Sequence, residues 1–136
     1  MPDTVRLVDY FYIQTSDRPG EGAKALAHLK EAGVNLLAFH AFPSGRRAQL
    51  NFVPTDHVAF REAAQQAGWK LVGPKRAFLI RGEDRVGALA EHYAKLAEAG
   101  VNVTATDAIG MPGHFAAITW VDARDVEKAA KALGVP

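Results

Sequence analysis

The chain has 136 residues, of which 49% are hydrophobic and 23% are charged. This length suits one ordinary domain or two very small ones, and the composition excludes a disordered chain. The formal net charge of +1 gives no net electrostatic attraction to nucleic acid or to an anionic membrane. There is no cysteine, which excludes disulfides, thiol catalysis and thiolate metal sites.

The N-terminal stretch "MPDTVRLVDY" lacks the charged and then apolar pattern of a signal peptide. No apolar run approaches the roughly 20 residues that a membrane-spanning helix needs. The absence of cysteine suits a reducing compartment. We therefore expect a cytoplasmic protein with no membrane partner.

The first predicted element is a strand, because "VRLVDYFYI" alternates and is rich in β-branched and aromatic residues. A period of two places Leu7, Phe11 and Ile13 on one face, with Tyr10 and Tyr12 on the other. Apolar residues on both faces of a sheet predict that something covers the face opposite the helices. That cover is either a second sheet or a second chain.

An alanine-rich amphipathic helix comes next and should end at Gly33, where glycine takes the left-handed conformation at little cost. "VNLLAFHAF" and "AQLNFV" then predict two strands joined by the turn-forming "PSGR". A second helix begins near Thr55, which suits an N-cap, and ends at Gly68 before a short strand, "WKLV". This order packs as an antiparallel sheet with both helices on one face, the ferredoxin-like arrangement.

The second half of the chain repeats the first half. A shift of 67 positions pairs residues 17–42 with residues 84–109 without a gap, and 13 of these 26 pairs are identical. The elements recur in the same order through "AFLIR", a helix, "VNVTATDAI", "FAAITWV" and a last helix, after which "GVP" ends the repeat without a final strand.

These patterns predict an α+β fold of two tandem ferredoxin-like βαββαβ units with antiparallel sheets, the second unit lacking its last strand. The dipeptide Gly73–Pro74 marks the predicted junction, which gives a first unit over residues 1–73 and a second over residues 74–136. We expect the two units to fold as one cooperative body, because no linker separates them.

The phrase Asp-Arg-x-Gly stands before the first helix of each copy. Asp17 and Asp84 are placed to accept hydrogen bonds from the free N–H groups of a helix start, and Pro19 presets a helical φ there. Gly20 and Gly87 lack a Cβ, which lets another backbone or a small ligand approach the first turn. Each residue also has a purely structural interpretation, the aspartates as helix caps and the glycines as places where a helix packs closely.

With the helix and the "EAGVN" that follow it, this phrase resembles the signature of the ACT domain, a small regulatory module. The likeness covers nearly the whole chain as two copies, with Val86 in copy two where copy one has Pro19. It implies binding of an amino acid or a related ligand, a homodimer, a regulated enzyme as partner, and no cofactor or catalytic domain of its own. It also implies a ligand site between the loop of one domain and the start of the second strand of a neighbouring domain.

The candidate ligand-binding residues lie in the two equivalent loops and at the two equivalent strand starts. They are Asp17, Arg18, Pro19, Gly20, Asn35, Leu36, Asp84, Arg85, Gly87, Asn102 and Val103. Exposed N–H groups at a helix start can hold a carboxylate, and asparagine offers both a donor and an acceptor. The arginines either clamp a carboxylate in a bidentate pair or are ordinary solvated charges.

Three other classes of protein are alternatives to a ligand-binding regulatory module. A small enzyme of the same fold is one alternative, but the five histidines show no metal-ligand spacing, and we expect His28 and His92 at the surface. We therefore predict no catalytic residue and no metal site. An RNA-binding sheet would display Tyr10 and Tyr12, but "RRAQLNFV" lacks the glycine and aromatic pattern of that module, so no nucleic-acid partner is expected. The third alternative is a protein-interaction module with no ligand site.

Overall fold

The computed structural model describes residues 2–135. Within that range, the strands and helices follow one another in the predicted order, except that the two strands predicted on either side of Gly73–Pro74 are one strand. The elements are β1 (Thr4–Ser16), α1 (Glu21–Glu31), β2 (Leu36–Ser44), β3 (Arg47–Pro54), α2 (His57–Gln66), β4 (Val72–Glu83), α3 (Ala90–Glu98), β5 (Val103–Met111), β6 (His114–Val121) and α4 (Val126–Leu133), with a 3-10 turn at Ala123–Asp125. The α+β class is confirmed.

The strands form a six-stranded sheet in the order β2-β3-β1-β4-β6-β5. The pairs β1 with β3, β2 with β3, β4 with β6 and β5 with β6 are antiparallel. Their register repeats the sequence offset of 67 positions, because Phe11 pairs with Phe52 and Phe78 pairs with Thr119. The duplication in the sequence is therefore also a duplication of strand pairing.

The chain divides by its internal contacts into two compact units. The first unit is Asp9–Lys75, which holds α1, α2, β2 and β3 with parts of β1 and β4. The second unit combines residues 2–8 with residues 76–135, which hold α3, α4, β5 and β6. The start of β1 thus belongs to the second unit, although it precedes the first unit in the sequence.

The core of the first unit lies between its strands and its two helices. Phe11, Phe52 and Phe60 are fully buried, and the ring of Phe60 lies 5.2 Å from that of Phe11 and 5.3 Å from that of Phe52. Trp69 stacks on Phe52 with ring centroids 5.6 Å apart and an angle of 16° between the planes. Burial of one such side chain contributes about 1.5–3 kcal/mol, so this cluster fixes both helices on the same face of the strands.

The core of the second unit uses the N-terminal residues of the chain. Phe78, Leu96 and Val126 are buried together, and Val5 and Leu7 pack against this cluster. No strand follows α4 within the described residues. Residues 2–8 therefore supply apolar cover that the second repeat does not provide from its own C-terminal end.

The predicted junction lies inside a strand. β4 runs from Val72 to Glu83 and contains Gly73–Pro74, so the two short strands predicted on either side of this dipeptide are one element. Proline is tolerated at strand positions where no N–H is needed. Gly73 has a φ of 131°, and a Cβ there would lie 2.8 Å from the carbonyl oxygen of Tyr10. The close approach of β4 to β1 at this point therefore requires glycine.

The first helix of each repeat ends as predicted. At the end of α1, Gly33 has a φ of 72° and the N–H of Val34 donates to the carbonyl of Leu29 at 2.9 Å. Gly100 and Val101 do the same at the end of α3, with a φ of 74° and a bond of 2.9 Å to the carbonyl of Leu96. This is the glycine-terminated helix end in which the following apolar residue packs back on the last turn.

The start of α2 differs from the prediction by one residue. The carboxylate of Asp56 accepts hydrogen bonds from the N–H groups of Val58 at 3.0 Å and Ala59 at 3.2 Å. Thr55 instead donates its hydroxyl to the carbonyl of Asn35 at 3.2 Å. A carboxylate is the stronger acceptor for helix N–H groups, which explains why aspartate takes the capping position.

None of the helices in residues 2–135 is long and apolar enough to cross a membrane. Strand β5, at one end of the sheet order, carries apolar side chains that solvent reaches: Ile109 is 63% exposed and Met111 is 47% exposed. Tyr10 and Tyr12 of β1 are half-buried. Apolar residues thus lie on both sheet faces, as the alternation in "VRLVDYFYI" predicts.

Candidate ligand-binding sites

The loop before α1 is exposed along its whole length. The N–H of Arg18 donates to the carbonyl of Ser16 at 3.0 Å, and its Nε donates to the Ser16 hydroxyl at 3.2 Å. No side chain caps α1, whose N-cap residue is Gly20. The prediction that Asp17 caps this helix was wrong, because Asp17 and Pro19 precede the N-cap and lie outside the first turn.

Glu21 carries the negative charge at the start of α1. Its carboxylate accepts the hydroxyl of Thr15 at 2.9 Å and lies 3.7 Å from the guanidinium of Arg18. The hydrogen bond from Thr15 is the main cause that lowers the pKa of Glu21. The carboxylate also complements the positive end of the helix.

Both loop glycines are required by their backbone conformation. Gly20 has a φ of 92° and Gly87 has a φ of 71°, in the left-handed region that L side chains rarely adopt. A Cβ on Gly20 would have nothing within 4 Å, and one on Gly87 would only touch Ala90 at 3.8 Å. Close helix packing, the structural interpretation of these glycines, therefore does not apply to Gly20, and the space in front of it is open.

The strand-start residues lie at the far end of the helix from the loop. Asn35 is exposed, and its carbonyl accepts the N–H of Thr55 at 3.0 Å, while Leu36 packs against the core of the first unit. Because α1 has 11 residues, Gly20 and Asn35 are separated by about 16 Å of helix. One unit alone does not bring these two candidate groups together.

The same separation holds in the second repeat. Asn102 is exposed just after α3, and Val103 packs against the core of the second unit. α3 has nine residues, so about 14 Å of helix lies between its start and Asn102. α3 begins at Ala90, after Leu89 as N-cap without a side-chain cap, so Asp84 does not cap it either.

Arg85 of the second loop already holds a carboxylate, that of Asp3. Its two terminal nitrogens donate to the two oxygens of Asp3 at 3.1 Å and 2.9 Å, and one of them also donates to the carbonyl of Glu83 at 3.0 Å. His92 Nε2 lies 2.7 Å from the same carboxylate and donates to it. Arg85 therefore forms a bidentate pair with a carboxylate of the chain itself, and its role toward a ligand stays a prediction.

This contact shifts the pKa values of both side chains. The hydrogen bond from Arg85, with a smaller contribution from His92, lowers the pKa of Asp3 from 3.8 to about 2 against the opposite effect of burial. Asp3 in turn raises the pKa of Arg85. The Asp3 side chain is only 8% exposed, so its carboxylate depends on these two donors in place of water.

The sequence analysis missed this cluster of Asp3, Arg85 and His92. The prediction of a surface position for His92 was wrong, because it is buried beside Asp3. Gly82 makes room for the cluster, since a Cβ there would overlap the Asp3 carboxylate. The one available signal was glycine at position 82 within a predicted strand, which indicates close approach of another group.

The first unit contains an open cleft of about 540 Å³ between the end of β1, the start of β3, α1 and the segment after α2. Its apolar lining includes Ile13, Ala25, Leu50 and Trp69. Its charged lining consists of Glu21, Lys24, Arg47 and Lys70, together with His28. None of these except Glu21 belongs to or adjoins the motif residues, so the cleft is distinct from the predicted site.

His28 is also more enclosed than its sequence position suggested. Its Nε2 donates to the carbonyl of Ala63 at 2.7 Å, and its ring meets Trp69 edge-on with centroids 5.6 Å apart. These contacts join α1 to α2 beside the cleft. Within residues 2–135, no group of three or more His, Cys, Asp or Glu side chains is arranged to hold a metal ion.

The fold is similar to that of several solved structures. Protein BT0572 from Bacteroides thetaiotaomicron superimposes with a TM-score of 0.83 at 15% identity, over 96% of this chain and 88% of that chain. The ligand-free regulatory subunit of aspartate kinase from Thermus thermophilus gives a TM-score of 0.63 at 22% identity, over 96% and 94% of the two chains. A structure of aspartokinase alpha and beta subunits gives 0.66 at 17% identity, over 98% and 95%.

No protein-family profile matches the chain, and no curated protein matches it by sequence. Identities of 15–22% establish a common fold. The chain therefore has the fold of the aspartate kinase regulatory subunits across nearly its whole length.

Proposed function

We propose that this chain is a regulatory module of the ACT type, which binds a small molecule and carries no catalytic centre of its own. The observation that carries the proposal is the whole-length similarity to a regulatory subunit, which spans 96% of this chain and 94% of the Thermus thermophilus protein. The repeated loop and the duplicated register support it, because they place the same candidate groups twice on one fold.

The ligand we propose is an amino acid. The start of α1 supports this choice, because no side chain caps it and the space over Gly20 is open. A ligand carboxylate can accept hydrogen bonds from backbone N–H groups at such a start. The amide of Asn35 or Asn102 supplies the donor and acceptor that an ammonium and a carboxylate need.

The proposed site requires a second protomer. Gly20 and Asn35 lie at opposite ends of α1, so a ligand that touches both loops must sit between the loop of one protomer and the strand start of its partner. A homodimer with this arrangement would couple ligand binding to assembly, which is how such a module would act on a regulated enzyme. We propose a cytoplasmic location for the same reason as above, the lack of cysteine.

A thermal-shift screen of the twenty amino acids tests this function. A ligand at 100 times its dissociation constant should raise the free energy of unfolding by about 2.7 kcal/mol. Asn35→Ala should then abolish the shift, and Asn102→Ala reports whether the second repeat also binds. Glu62→Gln is the control, since Glu62 is an exposed residue within α2, away from both the start of α1 and Asn35. The absence of any shift from all twenty would reject the amino acid as ligand.

A further inference from the structure

We propose that the open cleft of the first unit is a second binding site, for a small organic carboxylate with an apolar body. It is separate from the motif loops and does not depend on the proposed amino-acid site. The carboxylate would lie among Lys24, Arg47 and Lys70, and the apolar body would lie against Trp69. Three features support this assignment: the positive charge of the cleft, its rigid aromatic wall, and the carboxylate of Asp3 beside the corresponding residues of the second repeat.

The cleft has an excess of positive charge. Three cationic side chains line it, against the single carboxylate of Glu21. That carboxylate is already engaged by the Thr15 hydroxyl at 2.9 Å and by Arg18. Among residues 2–135, no carboxylate lies within ion-pair distance of Lys70 or of Arg47, whose guanidinium donates to the carbonyl of Gln14 at 3.1 Å. Several cationic side chains that line one cleft favour an anionic ligand.

One wall of the cleft is aromatic and held in place. Trp69 stacks on Phe52 at 5.6 Å, meets Phe60 at 6.3 Å, and contacts the ring of His28 edge-on. Leu50 and Ala25 add buried apolar surface beside it. A rigid apolar wall of this kind favours a ligand with an apolar body over a bare inorganic anion, and about 540 Å³ is the size of a small-molecule pocket.

The second repeat shows what this place in the fold accepts. At the offset of 67 positions, Thr15 and Ala25 of the cleft correspond to Gly82 and His92. These are the residues that surround the carboxylate of Asp3, which His92 and Arg85 bind. In the second unit, therefore, a carboxylate from the chain lies beside the residues that correspond to Thr15 and Ala25 of the cleft.

The two repeats also differ in charge in the way that this comparison predicts. Lys24 of the cleft corresponds to Glu91 in the second repeat, where Asp3 brings its own negative charge. In the first unit the carboxylate beside the equivalent residues Thr15 and Arg18 is that of Glu21, and the cleft also has Arg47 and Lys70 in its lining. The cationic cleft is thus complementary to a carboxylate that must come from outside the chain.

The test is a titration of the full-length protein with 3-phenylpropanoate and 4-methylpentanoate, followed by backbone and Trp69 indole NMR signals. We expect saturable shifts of the Lys24, Trp69 and Lys70 signals. The neutral amide of 3-phenylpropanoate and inorganic sulfate should each bind at least about tenfold more weakly, since each lacks one half of the required chemistry. Lys70→Gln and Arg47→Gln should each weaken 3-phenylpropanoate binding about tenfold.

Lys30→Gln is the matched control, because Lys30 lies on the same helix but outside the cleft, and it should leave the affinity unchanged. The proposal is overturned if neither carboxylate shifts the cleft signals up to about 10 mM, where a site of millimolar dissociation constant is occupied. Equal binding of sulfate, or equal affinity in the Lys70→Gln protein, overturns it as well. Asn35 lies outside the cleft, so failure of the amino-acid screen would leave these results intact.

Discussion

Arg85 binds the carboxylate of Asp3 in a bidentate pair, although the two residues are 82 positions apart in the sequence. The pair ties the residue just before β1 to the loop before α3, and both residues belong to the second unit. Because His92 donates to the same carboxylate, one side chain near the N-terminus satisfies two cationic or polar groups of the second repeat. Asp3 is therefore the residue on which the stability of the second unit depends most clearly.

Asp3→Ala should lower the free energy of unfolding by about 1–3 kcal/mol, because it leaves Arg85 and the buried His92 without their acceptor. Acetate or formate should restore part of the loss by occupying the vacated position. Urea denaturation with and without about 100 mM acetate measures both effects. Asp9→Ala, at an exposed aspartate of β1, should change nothing, and equal losses for the two variants would contradict the expectation.

The pH dependence of stability should carry the signature of Asp3. Its pKa is about 2 in the folded chain against 3.8 for the free group, so the folded state favours the charged form. The stabilisation is then fully present above about pH 4 and is lost as the pH falls through 2. The difference in unfolding free energy between the native protein and Asp3→Asn should be constant from pH 5 to 6 and shrink toward pH 2. A difference that stays constant down to pH 2 would rule out this assignment.

Gly82→Ala should destabilise the fold by about 1–3 kcal/mol, because its Cβ would overlap the Asp3 carboxylate. In the double variant with Asp3→Ala, the overlap is gone and the two losses should not add. Chemical denaturation of the four proteins of this cycle gives the interaction energy. Strict additivity would mean that Gly82 is needed for some other reason than room for Asp3.

Gly20→Val should cost about 1–2 kcal/mol of stability through backbone strain alone, because the φ of 92° is in the left-handed region and no atom lies near the new side chain. Gly20→Asn should cost less, since asparagine visits this region more readily. If the loop binds the amino acid found by the screen, Gly20→Asn should reduce its affinity while the melting temperature stays near that of the native protein. Unchanged affinity in that stably folded variant would remove the first loop from the site.

The chain should form a homodimer that buries more than about 1,000 Å². The exposed Ile109 and Met111 on β5 favour an interface at that end of the sheet, which would put Asn102, just before β5, rather than Asn35 in the site between protomers. Ile109→Lys should shift sedimentation toward the monomer at tens of micromolar, whereas Val58→Lys, at a residue of similar exposure on α2, should not. A monomer for the native protein under the same conditions would refute the dimer and the site proposed between protomers.

Local patterns in the sequence were enough to predict the class of the fold, the succession of strands and helices along each repeat, and the helix ends at Gly33 and Gly100. Each of these depends on side chains within a few positions of one another. The continuous strand through Gly73–Pro74 was missed, because glycine and proline signal a break locally while the approach of Tyr10 decides the outcome.

The candidate site was predictable only in part, for the same physical reason. The equivalence of the two loops followed from the repeat, but the partner of Arg85 is set by a contact between distant positions that no spacing reveals. The start of α1 was misjudged because the left-handed Gly20 places Asp17 outside the helix. The cleft is formed by residues from four separate segments, so only the folded chain brings Lys24, Arg47 and Lys70 together.

The division of the second unit into residues 2–8 and 76–135 has a consequence for synthesis on the ribosome. The segment with Asp3, Val5 and Leu7 emerges before Asp9–Lys75, but its partners Arg85 and Phe78 emerge only after Asp9–Lys75. At typical translation rates that interval is on the order of several seconds, long enough for the first unit to fold while the N-terminal segment waits without its partners. Residues 2–8 are thus made before the first unit but reach their partners only after it, so this segment of the second unit needs protection from misfolding during that interval.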